Sequence, residues 1–271
     1  MITARPPRTS QIRNAPFAVF VATRAEMKPL ATALRPTGQS APGSDSMIRI
    51  AVEGRDLLVA KTGVGPDHAE TAARRLFEET PIAAALSFGI AGGLSPQVQT
   101  GDLIIADQVI LRHGSGQVLR GENGSRLESF PCDSDLQDAA MTVIRRWDSR
   151  HYLGPILTVD HILTMEEKRV LAAGSGALAV DMESAAIASA ALAYSVPFLA
   201  IRGVLDPVHE DLAISFDQFL NTEGEPHLPR LMRYLLTHPL TLPHMVRLGL
   251  RTKAICARLG PLLQELSTVL S

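Results

Sequence analysis

Short apolar runs alternating with helix-length amphipathic segments predict an α/β fold, a central mixed and mostly parallel sheet flanked by helices. Three observations carry this expectation. Residues 82–88 are apolar almost throughout, as a strand covered on both faces must be, and residues 102–111 repeat the pattern after a glycine-rich stretch. Several strand-length runs lead into a segment of helical periodicity. Prolines and glycines fall between the segments, where turns are needed.

Taken in order, residues 17–22 form an apolar run of strand length, and residues 26–34 read as a helix closed before Pro36. Residues 48–52 and 56–61 suit a hairpin around Glu53 and Gly54, after which Gly63, Val64, Gly65 and Pro66 turn into a helix over 68–79. Pro81 ends that helix. Strands are expected at 82–88 and 102–111 with a glycine loop, Gly89 to Gly93, between them. A helix over 133–150, a strand over 154–159 and a helix over 166–173 ended by Gly174 follow. A helix over 183–194 and a strand over 198–204 complete the βαβ series, so ligands are expected beyond the strand ends.

The 271 residues allow one large domain or a domain with appendages, enough to bury roughly three quarters of the unfolded surface. Apolar residues make up 46%, which supports a substantial core. A net charge of −2 and few aromatics give no basic field for nucleic acid, so a small-molecule substrate is expected. Cys132 and Cys256 lie far apart, and the eight histidines contain no close ligand pair, so neither a disulfide framework nor a metal site is expected. Arg5, Arg8 and Arg13 precede the apolar run at 17–22 like an export signal, but the run is short and Arg24, Glu26 and Lys28 follow at once. Residues 1–15 therefore read as a mobile tail, and the protein as cytoplasmic. Residues 35–46, rich in Pro, Gly and Ser, read as an exposed loop.

Most informative is the run Val180-Asp181-Met182-Glu183-Ser184-Ala185-Ala186, followed by Val196-Pro197-Phe198-Leu199-Ala200-Ile201-Arg202 and Asp206. It places acids and an arginine around an otherwise apolar helix and strand. A buried Glu183 needs hydroxyls, amides or a cation as partners, and a ribose would supply hydroxyls. This run resembles the signature of the nucleoside phosphorylase and nucleosidase superfamily. Three further stretches agree in order and spacing: Thr62 to Gly65, Phe88 to Leu94, and Gly101 to Ile104. The similarity runs from about residue 17 to Asp206, and more weakly to about 236.

The resemblance implies a three-layer nucleoside phosphorylase-like fold over 16–236 and cleavage of a purine N-glycosidic bond. Asp206 would protonate the leaving purine at N7. Glu183 would hold the ribose hydroxyls and face the developing ribosyl cation, with Met182 under the sugar. Arg202 would hold an acidic partner in place. Glu26 would orient the attacking water; its alternative is an exposed first-turn acid answering the helix dipole. Asp206 could instead cap a turn before Pro207. Ile162 and Leu163 are candidates for base contact, or for a core strand end, and His113 for an approach to the site.

Gly89 and Ile90, in the glycine loop, would bring backbone close to the substrate. Family phosphorylases supply an arginine and a hydroxyl for phosphate there, whereas here Ser87 and Ile90 stand in those places. Arg24 and the amides of Gly63 and Gly65 are the remaining candidates for a phosphate or nucleophile pocket. Phosphorolysis, with inorganic phosphate as co-substrate, and hydrolysis both stay open; no cofactor is expected.

Residues 237–271 read as an amphipathic helical extension. Met245, Leu248, Thr252, Ile255 and Leu259 share one face and Arg247, Arg251 and Arg258 another, and the stretch 238–271 holds four basic residues and one acid. Such a helix suits the surface of an anionic bilayer, or packing on the domain or on a second subunit. With this extension, the Ser87-to-Leu94 form of the glycine loop resembles the hopanoid-associated phosphorylase subgroup. That implies adenine release from a lipid-linked 5′-substituted adenosine, adenosylhopane. A soluble 5′-methylthioadenosine/S-adenosylhomocysteine nucleosidase and a non-catalytic nucleoside-binding module are the alternatives. Family resemblance also implies a homodimer or larger homo-oligomer.

Overall fold

The computed structural model describes residues 15–34, 46–52, 55–112, 127–210, 219, 221, 224 and 227–270. Most of the 1–15 tail, the 35–46 loop and His113 lie outside the described residues. Among the described residues nine strands alternate with helices: β1 (Phe17–Val21), α1 (Arg24–Ala33), β2 (Met47–Val52), β3 (Arg55–Lys61), α2 (Pro66–Glu79), β4 (Ala84–Gly93), β5 (Leu103–Arg112), β6 (Leu127–Pro131) and α3 (Ser134–Ile144) form the first part. β7 (His151–Thr158), α4 (Met165–Ser175), β8 (Ala179–Asp181), α5 (Ser184–Ala193), β9 (Phe198–Asp206), α6 (Leu228–Thr237) and α7 (Leu242–Val269) follow.

The strands form one mixed sheet in the order β2-β3-β1-β4-β8-β7-β5-β6, with β9 paired to both β4 and β5. Five of the nine pairings are parallel, as the α/β reading requires. The double pairing of β9 closes a ring, β4-β8-β7-β5-β9, that alternation of elements did not disclose. Every residue of β9 is buried, which a strand bonded on both edges and covered on both faces demands.

Most expected elements appear within a few residues; three differ for identifiable reasons, and two strands are additional. The presumed glycine loop is strand: β4 continues through Gly93, because β8 and β9 take its backbone hydrogen bonds on either side. α3 stops at Ile144, with Asp133 outside it as a cap accepting from the amides of Asp135 and Leu136. Gly174 lies inside α4, and Gly176, at φ 65°, provides the left-handed cap. β6 and β8 were not anticipated; β8 has only three residues, too few to show a period.

The last helix belongs to the core. Leu248, Ile255, Leu259, Leu262, Leu263 and Leu266 of α7 join the main hydrophobic cluster with β1, β4 and β9. Gly203 of β9 lies directly under Ile255, where a side chain would collide, and Gly260 of α7 lies against Ala33 of α1. The apolar face expected to meet a bilayer is thus turned inward, because Leu248, Ile255 and Leu259 have the sheet to cover. Among the described residues no helix is long and apolar enough to cross a membrane.

Candidate active site

The carboxyl ends of β1, β3, β4 and β9 and the start of α5 converge, the position where parallel strands present ligand sites. Arg202, near the middle of β9, is 3% exposed and organises one side. Its Nε donates to Asp181 Oδ2 at 2.8 Å, and its Nη2 donates to Ser87 Oγ at 2.8 Å and to Ser184 Oγ at 2.9 Å. Asp181 Oδ1 accepts from Thr158 Oγ1 at 2.6 Å, and Thr158 Oγ1 accepts from the Ala185 amide at 2.9 Å. These bonds through Nε and Nη2 hold the guanidinium in one orientation. The acid that Arg202 grips is Asp181 rather than Asp206.

Glu183 stands at the first position before α5, beside this cluster, and its side chain turns away from the helix amides. Its Oε1 accepts from the Gly65 amide at 3.1 Å, and its Oε2 lies 3.9 Å from Arg202 Nη2. Gly65 sits at φ 109°, backbone that a side chain would strain. Burial pushes the Glu183 carboxyl well above the usual range; Asp181 and Glu26 push the same way, and Arg202 opposes them. Three carboxyls thus crowd around one guanidinium.

Glu26 is 4% exposed, which excludes an exposed first-turn acid. Its Oε2 accepts from the Thr23 amide at 2.9 Å and from Thr23 Oγ1 at 3.1 Å, and its Oε1 accepts from the Ile90 amide at 3.1 Å. A Cβ on Gly89 would stand 2.5 Å from Glu26 Oε1 and 2.8 Å from Arg202 Nη1, so glycine at 89 admits both groups to the strand surface. Gly89 therefore makes room for charged side chains, and the Ile90 amide is committed to Glu26; both had been expected to meet substrate directly.

Asp206 ends β9 opposite Gly92, three residues further along β4, or roughly 10 Å. Its Oδ2 is engaged by Nζ of Lys168, from α4, and both residues are 2% exposed. Burial lifts the Asp206 carboxyl to about 6, with Lys168 pulling the other way. A turn-capping role for Asp206 does not describe this buried pair. Nothing singled out Lys168 in the sequence, yet its helical spacing from Met165, Leu171 and Ala172 places it on the inward stripe of α4.

Other expected residues fall elsewhere. The Gly63 amide donates to Ala22 O at 3.0 Å and the Gly65 amide to Glu183, so neither is presented to phosphate as had been expected. Arg24 is exposed on α1. Leu163 is buried in a small core cluster with Leu94, Leu157 and Val180, against which the half-buried Met182 packs; Ile162 is half-buried. The described residues contain no group of His, Cys, Asp and Glu suited to a metal.

The Phosphorylase superfamily profile matches residues 16–236, most of the chain. The chain belongs to the Phosphorylase superfamily. It is an enzyme of the nucleoside phosphorylase and nucleosidase type, one that breaks N-glycosidic bonds. Superfamily relatives include the 5′-methylthioadenosine/S-adenosylhomocysteine nucleosidase of Geobacillus thermodenitrificans, 28% identical over 193 residues (69% of this chain, 81% of the relative). That of Oceanobacillus iheyensis is 27% identical over 177 residues (63% and 77%). Among solved structures, the native futalosine hydrolase of Helicobacter pylori superposes with TM-score 0.71 at 15% identity, covering 94% of this chain and 98% of that one. The Neisseria meningitidis nucleosidase in complex with methylthio-immucillin-A gives 0.68 at 19% identity, covering 93% and 98%. The superfamily match ends at residue 236, so α7 shares the core of the fold while lying beyond it.

Proposed function

We propose that this enzyme releases adenine from a 5′-substituted adenosine by hydrolysis. The observation that carries the reading is the arrangement along β4: Glu26 and Arg202 meet at Gly89 with Glu183 3.9 Å from Arg202, and Asp206, its carboxyl lifted by burial, stands at Gly92. Nucleosidase relatives with three quarters or more of their length aligned support the same reaction class.

In this mechanism Asp206 gives its proton to the purine, which departs as a neutral base. Glu183 holds the ribose hydroxyls, Arg202 and Asp181 keep it in place, and the developing ribosyl cation favours its ionised form. Glu26, turned toward the same strand, orients the attacking water and takes its proton. Hydrolysis is favoured over phosphorolysis because two of the three candidate phosphate donors, the Gly63 and Gly65 amides, are engaged within the chain. Adenine release from a 5′-substituted adenosine is therefore expected to proceed at the same rate with and without inorganic phosphate. A strict phosphate requirement would replace water by phosphate as nucleophile, and adenosine binding without any cleavage would leave a binding module.

The substrate we favour is lipid-linked, adenosylhopane, with soluble methylthioadenosine or S-adenosylhomocysteine as the competing reading. Support comes from the outer side of α6 and α7 rather than the buried face. Met232, Leu240, Leu242, Val246 and Leu250 are exposed, Leu240 to 94%. Arg230, Arg233, Arg247 and Lys253 are exposed among them, and residues 227–264 contain no Asp or Glu. Exposed apolar side chains interspersed along the sequence with cations suit an anionic bilayer. In flotation, the protein is expected to rise with vesicles containing phosphatidylglycerol, to dissociate at high salt, and to lose binding in a Leu242→Glu/Val246→Glu variant. If the unaltered protein stays at the bottom with such vesicles at low salt, the soluble substrates become the better reading.

A further inference from the structure

Lys168 is the one charged group in contact with the Asp206 carboxylate, among the described residues, that the mechanism above does not use. We propose that Lys168 is a positioning residue for the leaving-group acid, orienting Asp206 and stabilising the carboxylate that forms as its proton departs. The proposal rests on the reading of Asp206 as the acid.

The ammonium is built into place from three directions. Besides Asp206 Oδ2, Nζ donates to the carbonyls of Pro207 at 3.5 Å and Glu210 at 3.4 Å, one acceptor for each of its hydrogens. Both carbonyls belong to the turn that follows β9, and the Glu210 amide closes that turn onto Pro207 O at 3.0 Å. α7 fixes the far side, since Arg251 Nη1 donates to the two Glu210 carboxylate oxygens at 2.7 and 2.9 Å. The pair lies against Gly92 of β4: a Cβ there would stand at ordinary contact distance, 3.4 Å from Lys168 Cε and 3.5 Å from Asp206 Oδ2.

An ion pair with both partners 2% exposed is screened little by solvent, so its effect on a proton transfer is large. When the Asp206 O–H bond breaks, its electron pair stays on the carboxylate and the proton bonds to a purine nitrogen. The glycosidic electron pair leaves with the base. Lys168 interacts more strongly with the carboxylate so produced than with the acid that precedes it, and this difference accelerates the transfer. Without Lys168, Asp206 would hold its proton to higher pH and surrender it less readily.

The test uses Lys168→Met and Lys168→Arg in the full chain, with melting temperature as a check on folding. Asp206 is followed by 13C-carboxyl NMR, its signal assigned with Asp206→Asn. Lys168→Met is expected to move the Asp206 midpoint up by about 1–3 pH units and to lower kcat tenfold or more on the acid side, while Lys168→Arg returns the midpoint toward the native one. A merely structural lysine would change kcat without moving the midpoint, and an unmoved midpoint in folded Lys168→Met overturns the proposal. Should neither variant fold, the Lys168 15Nζ signal of the unaltered protein is expected to titrate with the Asp206 midpoint; independent titration refutes the pairing. Undiminished turnover by Asp206→Asn would instead remove the acid itself, a separable outcome.

Discussion

Asp206→Asn is expected to lower kcat for adenine release about a hundred- to ten-thousand-fold, the range for losing a positioned general acid. Asparagine fills the same space and still offers an oxygen to Lys168, so the fold is kept while the transferable proton is lost. Adenine formation followed chromatographically, beside circular dichroism of the variant, measures the effect. Near-native turnover in a folded variant would show that the purine leaves without this proton. The same assignment has a pH signature. The carboxyl is lifted to about 6, chiefly by burial, so it bears its proton below that value and loses it above. Activity is therefore expected to fall as pH rises through 6, with kcat/KM recorded from 4.5 to 9 as the check.

Arg202→Met is expected to cost about 3–5 kcal/mol of stability, as removal of one partner from a buried ion pair does. The guanidinium is 3% exposed and holds Asp181, Ser87 and Ser184 directly, with Glu183 at 3.9 Å. Methionine fills part of the volume but leaves the carboxylates of a crowded acidic cluster without their cation. Urea unfolding at neutral pH measures the loss. The penalty should shrink as pH falls and the carboxyls take up protons. Arg202→Lys is expected to recover only part of it, since an ammonium cannot bond Asp181 and two hydroxyls at once in the planar geometry seen here. A methionine variant as stable as the native protein would mean that the cluster is not electrostatically closed.

How much of the site was legible in the sequence varies residue by residue. Glu183, Arg202 and Asp206 stand within 24 positions of one another in runs whose residue types are unusual between a small-residue helix and an apolar strand, and a local pattern of that kind survives in one dimension. Glu26 lies outside that run, and an exposed first-turn role stayed open for it, which its burial against Gly89 and Ile90 removes. Lys168 was illegible as a functional group. It stands in Met165-Glu166-Glu167-Lys168-Arg169, a run of the kind that covers exposed helices, and its partner is 38 residues away. The amides of Gly63 and Gly65 show the converse: glycines that could approach a ligand spend their donors on Ala22 and Glu183.

The sequence by itself determined most of the strand and helix order, β6 and β8 excepted, and the identity of most ionisable groups set at the strand ends, because hydrophobic period and residue type are local properties of the chain. Tertiary structure alone decided which charges meet, so that Asp181 rather than Asp206 answers Arg202, and Asp206 takes Lys168. It also decided that β9 closes a ring and that the apolar face of α7 covers the sheet. Periodicity states that a face must be buried without naming what buries it, and the strength of a charge pair depends on distance and desolvation, which exist only once distant segments have packed.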